Sequence, residues 1–111
     1  MMNYMTLREI CNSSKVSRRA IQGYEKAGLI CASGKNERGY LLYDTDTLNR
    51  IKQIKLYQQL GFTIKEIKNM IDAPNTVLKI VLENQMVKLK KEKNDLETLL
   101  DEADELIKKL S

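Results

Sequence analysis

Four stretches of the chain open with the same arrangement, a polar residue with an apolar one just before it and another four places after it. They are Thr6 between Met5 and Ile10, Ser17 between Val16 and Ile21, Asp44 between Tyr43 and Leu48, and Thr63 between Phe62 and Ile67. This is the hydrophobic staple of a helix start: the polar side chain caps the first free N–H groups and the flanking apolar pair fixes the entry of the chain. Thr6 and Thr63 are each followed three places on by a glutamate, Glu9 and Glu66, which completes a capping box. The pattern predicts a first helix from about Thr6 to Asn12, a four-residue turn, and a second from Ser17 to about Lys26 that stops before Gly28. That is helix-turn-helix spacing. LICAS and YLLY read as short β runs flanking GKNERG, a loop suited to a hairpin wing.

A third helix is marked by Leu48, Ile51, Ile54 and Leu60 and closes at Gly61. A fourth is marked by Ile64, Ile67, Met70 and Ile71, making a second helix-turn-helix-like pair. Asp72, Ala73 and Pro74 interrupt the periodicity, because proline cannot continue a helix and restricts the residue before it. The domain boundary is expected there, with residues 1–73 forming a winged helix-turn-helix and 74–111 a separate element. From Thr76 onward neither glycine nor proline occurs. Leu82, Met86, Leu89, Lys93, Leu96, Leu100, Ala103, Ile107 and Leu110 follow at alternating steps of four and three, a heptad a/d stripe broken only by Lys93. A helix of roughly 35 residues would run about 50 Å, too long for the preceding domain to cover. The stripe is read as a dimerisation seam, with a fold back onto the chain's own domain as the competing reading. Lys93 at an a position either sets register or snorkels out of the seam. The expected fold class is therefore mainly α, a winged helix-turn-helix with a small β-hairpin followed by a long C-terminal coiled-coil helix.

Charge sharpens this division. Of 111 residues, 19 are Lys or Arg and 15 Asp or Glu, a net +4. Up to Asp72 there are twelve basic residues against seven acidic, an excess of five, so the remaining stretch stands at −1. The positive excess belongs to the first two thirds, where a polyanion could use it. On the second helix Arg18, Arg19, Gln22, Gly23 and Lys26 share one stripe, opposite Ala20, Ile21, Tyr24 and Ala27. A basic stripe is by default only a solvated face. After a capped helix and short turn, and before a hairpin bearing Lys35 and Arg38, it reads as a DNA-recognition helix. Arginine can pair bidentately with guanine or phosphate, and Gln22 with adenine; Lys35 and Arg38 suit phosphate. Tyr24 is either pure core or a ring packed inward with its hydroxyl on a phosphate. Gly23 costs roughly 1 kcal/mol relative to alanine in a helix, so it is either incidental or lets backbone approach a groove. Arg50 and Lys65 are secondary phosphate candidates, Lys65 because it follows a helix N-cap.

Other chemistry finds little support. With no histidine, no phosphate loop and carboxylates dispersed on helix surfaces, there is no acid/base pair or activated nucleophile, and the chain reads as non-enzymatic. Cys11 and Cys31 are 20 apart without a CxxC motif, so no redox or standard zinc site is expected, and both are read as small buried residues. MMNYMTLREIC lacks the features of a signal peptide and no stretch reaches the ~18 apolar residues of a membrane span, so a cytoplasmic location is expected.

The run VSRRAIQGYEKAGLI resembles the recognition helix of the MerR family of transcription regulators through Val16, Ser17, Arg19, Ile21, Tyr24, Glu25, Gly28, Leu29 and Ile30. Gly39, Tyr40 and Tyr43 resemble that family's wing, and LGFTIKEIKNMI its fourth helix. The resemblance implies a DNA-reading role for this helix and wing, for which the residues themselves offer Ser17, Arg18, Arg19, Gln22, Tyr24, Lys26, Lys35, Arg38 and Tyr40 as the expected contacts. It also implies a homodimer joined by an antiparallel coiled coil and bound to a pseudopalindromic promoter, whose spacer is distorted so that RNA polymerase can engage it. Gln22, Gly23 and Leu41 depart from the family, which commonly has Arg, an aromatic and Arg there, so operator sequence does not carry over. No cysteine follows Cys31, which argues against metal sensing of the family's kind, and no cofactor is implied. The chain is either a minimal member or a fragment of a longer one. An architectural DNA-organising protein with the same layout is the alternative function.

Overall fold

Each of the four expected N-caps forms. In the computed structural model, which describes residues 4–111, the Thr6 hydroxyl accepts from the Glu9 N–H at 3.3 Å while Glu9 accepts from the Thr6 N–H at 3.1 Å. Thr63 and Glu66 repeat this box at 3.2 and 3.0 Å. Ser17 accepts from the Ala20 N–H at 3.0 Å and Asp44 from the Thr47 N–H at 2.8 Å. These caps start α1 (Leu7–Ser14), α2 (Arg18–Lys26), α3 (Thr45–Gln59) and α4 (Ile64–Met70).

Two helices end alike. At Gly28, φ +79°, the Gly28 N–H donates to the Glu25 carbonyl and the Leu29 N–H to that of Tyr24, both at 3.0 Å. At Gly61, φ +102°, the Gly61 N–H donates to the Gln58 carbonyl and the Phe62 N–H to that of Tyr57, again at 3.0 Å. Both are Schellman closures, in which a left-handed residue turns the chain and satisfies the last carbonyls. The accompanying apolar contact is visible in the second, where the Tyr57 and Phe62 rings meet edge to face with centroids 6.3 Å apart.

The first helix runs further than its pattern predicts. Ser13 and Ser14 fall in the expected turn, but the buried Ser14 hydroxyl donates to the Ile10 carbonyl at 2.6 Å and accepts from the Val16 N–H at 3.3 Å. It thus satisfies the helix end and the turn at once, which keeps a serine inside the helix. Lys15 then closes α1 in the left-handed region at φ 57°.

A small antiparallel sheet joins the ends of the helix pair. Its strands are β1 (Met5–Thr6), β2 (Gly34–Lys35) and β3 (Leu41–Tyr43), in the order β1-β3-β2. Met5 pairs with Tyr43 and Thr6 with Leu42 on one edge, Gly34 with Leu42 and Lys35 with Leu41 on the other. β3 falls within the expected YLLY run. LICAS, by contrast, is not a strand: Leu29 and Ile30 are buried directly after the Gly28 closure, and the pairing segment begins only at Gly34. Asn36 organises the hairpin tip, its side-chain oxygen accepting from the N–H groups of Arg38 and Tyr40 at 2.9 and 3.0 Å, an Asx turn.

The core takes at least one fully buried side chain from most elements: Ile10 (α1), Ile21 (α2), Tyr43 (β3), Ile51 and Ile54 (α3) and Ile67 (α4). The chain divides into two units, Met1–Asp72 and Ala73–Ser111. The second is one helix, α5 (Asn75–Leu110), 36 residues with none buried. No described helix is long and apolar enough to cross a membrane.

Tyr43 is the polar lock of the core. Its side chain is 1% exposed and its hydroxyl donates to the Glu25 carboxylate, tying the sheet to α2. Burial first, then this hydrogen bond and the carboxylate's charge, push the phenol pKa well above its usual value near 10. The folded state therefore holds this proton more tightly than the unfolded chain, so the contribution is complete below pH 10 and is lost as the pH rises beyond it. Tyr43→Phe should lower unfolding free energy at pH 7 by about 1.5–3 kcal/mol, the range for a hydrogen bond to a charged group. Denaturant midpoints of the wild type should fall more steeply than those of the variant above pH 10; parallel curves would contradict the assignment.

Candidate nucleic-acid interface

α2 presents two faces of opposite character. Ile21 and Tyr24 are buried, while Arg18, Arg19, Gln22, Gly23 and Lys26 are exposed. No described hydrogen bond or ion pair engages either arginine. Their position is electrostatically unfavourable in the isolated protein, because the N-terminal end of a helix carries partial positive charge and α2 has no acidic residue in its first turn. Two cations added to that end make a concentrated positive site, one an anion would relieve.

The wing lies next to this site. Thr6, Leu7 and Arg8 from the start of α1, Arg18 from α2, and Tyr40 and Leu41 from the hairpin line a cleft of about 440 Å³. Tyr40 is 59% exposed. Lys35 and Arg38 are exposed on β2 and the hairpin tip. Lys65 is exposed in the first turn of α4, and the Ser17 hydroxyl is the exposed cap of α2.

Two candidates have structural duties instead. Arg50 donates through Nε to the Leu29 carbonyl at 2.6 Å and through its two terminal nitrogens to both Asp72 oxygens at 2.8 and 2.9 Å. Its fork is occupied by Asp72 in this structure, where it staples the segment after α2 to the residues just beyond α4. Tyr24 is 3% exposed and its hydroxyl donates to Gln58 at 2.6 Å, which joins α2 to α3 and resolves its two readings in favour of the core. The cysteine expectation also fails. Cys31 is exposed and Cys11 half-buried; Cys31 lies beyond the buried pair Leu29 and Ile30, and on α1 the buried positions are Ile10 and Ser14, one turn apart.

Arg8 was absent from the sequence-derived set. Its only local signal is a cation in a first helical turn, where the macrodipole disfavours it by about 0.3–1 kcal/mol; that it meets Arg18 and Tyr40 depends on packing between distant segments. The proposed dimerisation residues all lie on α5. Leu82 and Leu89 are half-buried, and Met86, Lys93, Leu96, Leu100, Ala103, Ile107 and Leu110 are exposed.

The capped helix pair, its arginine-bearing second helix and the adjoining hairpin define a winged helix-turn-helix protein. Residues 5–74 match the family model described as MerR HTH family regulatory protein, and residues 48–111 that described as MerR, DNA binding. The chain belongs to the MerR family. It is 32% identical over 98 residues to the HTH-type transcriptional activator mta of Bacillus subtilis, covering 88% of this chain and 38% of that protein. With the mercuric resistance operon regulatory protein of Bacillus cereus it shares 36% over 63 residues, 57% of this chain and 48% of the other. The chain thus spans less than half the length of these relatives. Among solved structures, a MerR family transcriptional regulator from Bacillus cereus superposes with TM-score 0.79 at 30% identity, over 96% of this chain and 82% of that one. HiNmlR, a MerR family regulator lacking the sensor domain and bound to promoter DNA, has the same fold, with TM-score 0.73 at 21% identity over 89% and 80% of the two chains.

Gly23 provides a test within the protein alone. A Cβ built there meets nothing within 4 Å, and no positive φ holds the residue, so the fold does not require glycine. Gly23→Ala should raise stability by about 0.5–1 kcal/mol. If duplex backbone approaches this face, the same change should weaken DNA binding, so that affinity and stability move in opposite directions. A variant that is more stable and binds equally well would mark Gly23 as incidental.

Proposed function

We propose that this chain reads DNA as a dimer and acts as a transcription regulator in the cytoplasm. The observation that carries the reading is α2, with one face buried and the other presenting unpaired arginines at the positive end of the helix. Arg19, Gln22 and Lys26 read the major groove, with Ser17 and Arg18 at the helix start. Lys35, Arg38 and Tyr40 hold the adjacent backbone, and Lys65 adds a phosphate contact. Residues 1–73 serve as the DNA-binding domain and 74–111 as the dimerisation helix.

A homodimer follows from α5. Its seam of Leu82, Met86, Leu89, Leu96, Leu100, Ala103, Ile107 and Leu110 is the pattern that a second helix covers. Lys93 favours an antiparallel arrangement. In a parallel in-register pair each a residue faces its own counterpart, which would set two Lys93 ammonium groups together in the seam and Glu92 at g beside the partner's Glu97 at e. Turned antiparallel, a faces d, so Lys93 meets an apolar d residue and its stem can lie along the seam. Two reading heads then engage two half-sites of a pseudopalindromic promoter. Deformation of the DNA between the half-sites, a few kcal/mol, is the quantity through which such a dimer would present the promoter to RNA polymerase.

Selection of bound DNA from a random library should return paired inverted half-sites, and Arg19→Ala should weaken binding to the selected duplex by about 1–3 kcal/mol. Unchanged affinity would discredit α2 as the reading helix, and enrichment without any shared sequence would favour a DNA-organising role instead. For orientation, Ser111→Cys in a chain with Cys11 and Cys31 replaced by serine should form little interchain disulfide on oxidation, since antiparallel helices hold their ends far apart. Quantitative crosslinking would require a parallel pair.

A further inference from the structure

The cleft between α1, α2 and the hairpin combines two kinds of wall. Arg8 and Arg18 bring two guanidinium groups that no carboxylate among the described residues binds, while Leu7, Leu41 and the exposed Tyr40 ring offer apolar surface. Leu41 is 37% exposed, although it belongs to β3 at the centre of the sheet. Two cations lining one cleft from separate helices repel one another, and an exposed leucine beside an exposed tyrosine gains nothing from water. Both costs are relieved by a single ligand that is anionic at its ends and apolar in its middle.

We infer that this cleft seats one sugar–phosphate unit of the DNA backbone, with Arg8 and Arg18 on phosphate oxygens and Leu7, Leu41 and Tyr40 packed against the deoxyribose. The inference rests on the DNA-binding reading above and adds Arg8 as a binding residue and Leu41 as apolar lining. Inorganic phosphate would answer the arginines but leave the leucines wet, whereas a backbone unit covers both. Because no base edge enters the cleft, the contact is independent of sequence. It supplies affinity and fixes how far the hairpin stands from the strand, while discrimination stays with the outer face of α2. Leu41, where an arginine would add another phosphate grip, here contributes apolar contact, and Arg8 supplies the charge from the other side of the cleft.

The test is binding of the selected duplex and of a random-sequence duplex of equal length, titrated from low to moderate salt, by the wild type, Arg8→Ala and Arg8→Lys. Arg8→Ala should weaken both duplexes by the same factor and reduce the slope of log affinity against log salt by about 0.9, the value for one lost phosphate contact. Arg8→Lys should restore most of the slope. Arg8 is exposed, so far-UV circular dichroism should match the wild type. A wild type that binds with a salt-dependent slope while Arg8→Ala binds identically would overturn the cleft and leave the DNA-binding reading standing. Loss confined to the selected duplex would make Arg8 a base-reading residue and also overturn it. A wild type that binds neither duplex at low salt would remove both readings together.

Discussion

A helix of 36 residues that buries none of its side chains is the constraint on which the account turns. Isolated helices draw little stability from the backbone alone, and most helical stability in proteins comes from packing an apolar face. α5 carries such a face along the a and d positions, and in its C-terminal half Leu99 and Leu106 at g widen it. Leu110 remains 78% exposed. Each single chain therefore holds an uncovered apolar stripe, and on the proposed reading a second copy of the chain covers it. The two-fold symmetry of the proposed dimer would ask for two-fold symmetry in the DNA, hence the paired site proposed as its target.

The reading unit manages its polar groups differently. Glu25 with Tyr43, Gln58 with Tyr24, and Asp72 with Arg50 are ties between elements far apart in sequence. They consume the polar groups nearest the core and hold α2 against the sheet and α3. Of the arginines left over, Arg8, Arg18 and Arg19 lie at helix starts, where the local field already opposes them, and Arg38 on the exposed hairpin tip. That arrangement is poor for an isolated domain and well matched to a polyanion, whose charge turns the repulsion into attraction.

Sequence revealed the features that short-range chemistry sets. The N-caps at Thr6, Ser17, Asp44 and Thr63 depend on residues three or four apart, and Gly28 and Gly61 mark helix ends because only a left-handed residue makes the closure. The fold class could be read for the same reason. What escaped depends on contacts between distant segments. β1 is two residues long and exists only because β3 lies beside it. The pairing of β2 begins at Gly34, beyond the apolar LICAS run, since Leu29 and Ile30 are drawn into the core. Arg50 looked like a free cation until Asp72, 22 residues on, closed its fork. Arg8 was overlooked because nothing local shows that the start of α1 shares a cleft with the start of α2 and the hairpin.

Sedimentation equilibrium of the purified chain at micromolar concentration, paired with circular dichroism on the same sample, probes the uncovered seam most directly. A paired α5 gives twice the 12.8 kDa mass of one chain, falling to the single-chain mass, with a large loss of helical signal, when Leu96 and Leu100 are both replaced by glutamate. A wild-type species of single-chain mass that keeps the full helical signal would contradict it, because α5 would then stand without a partner.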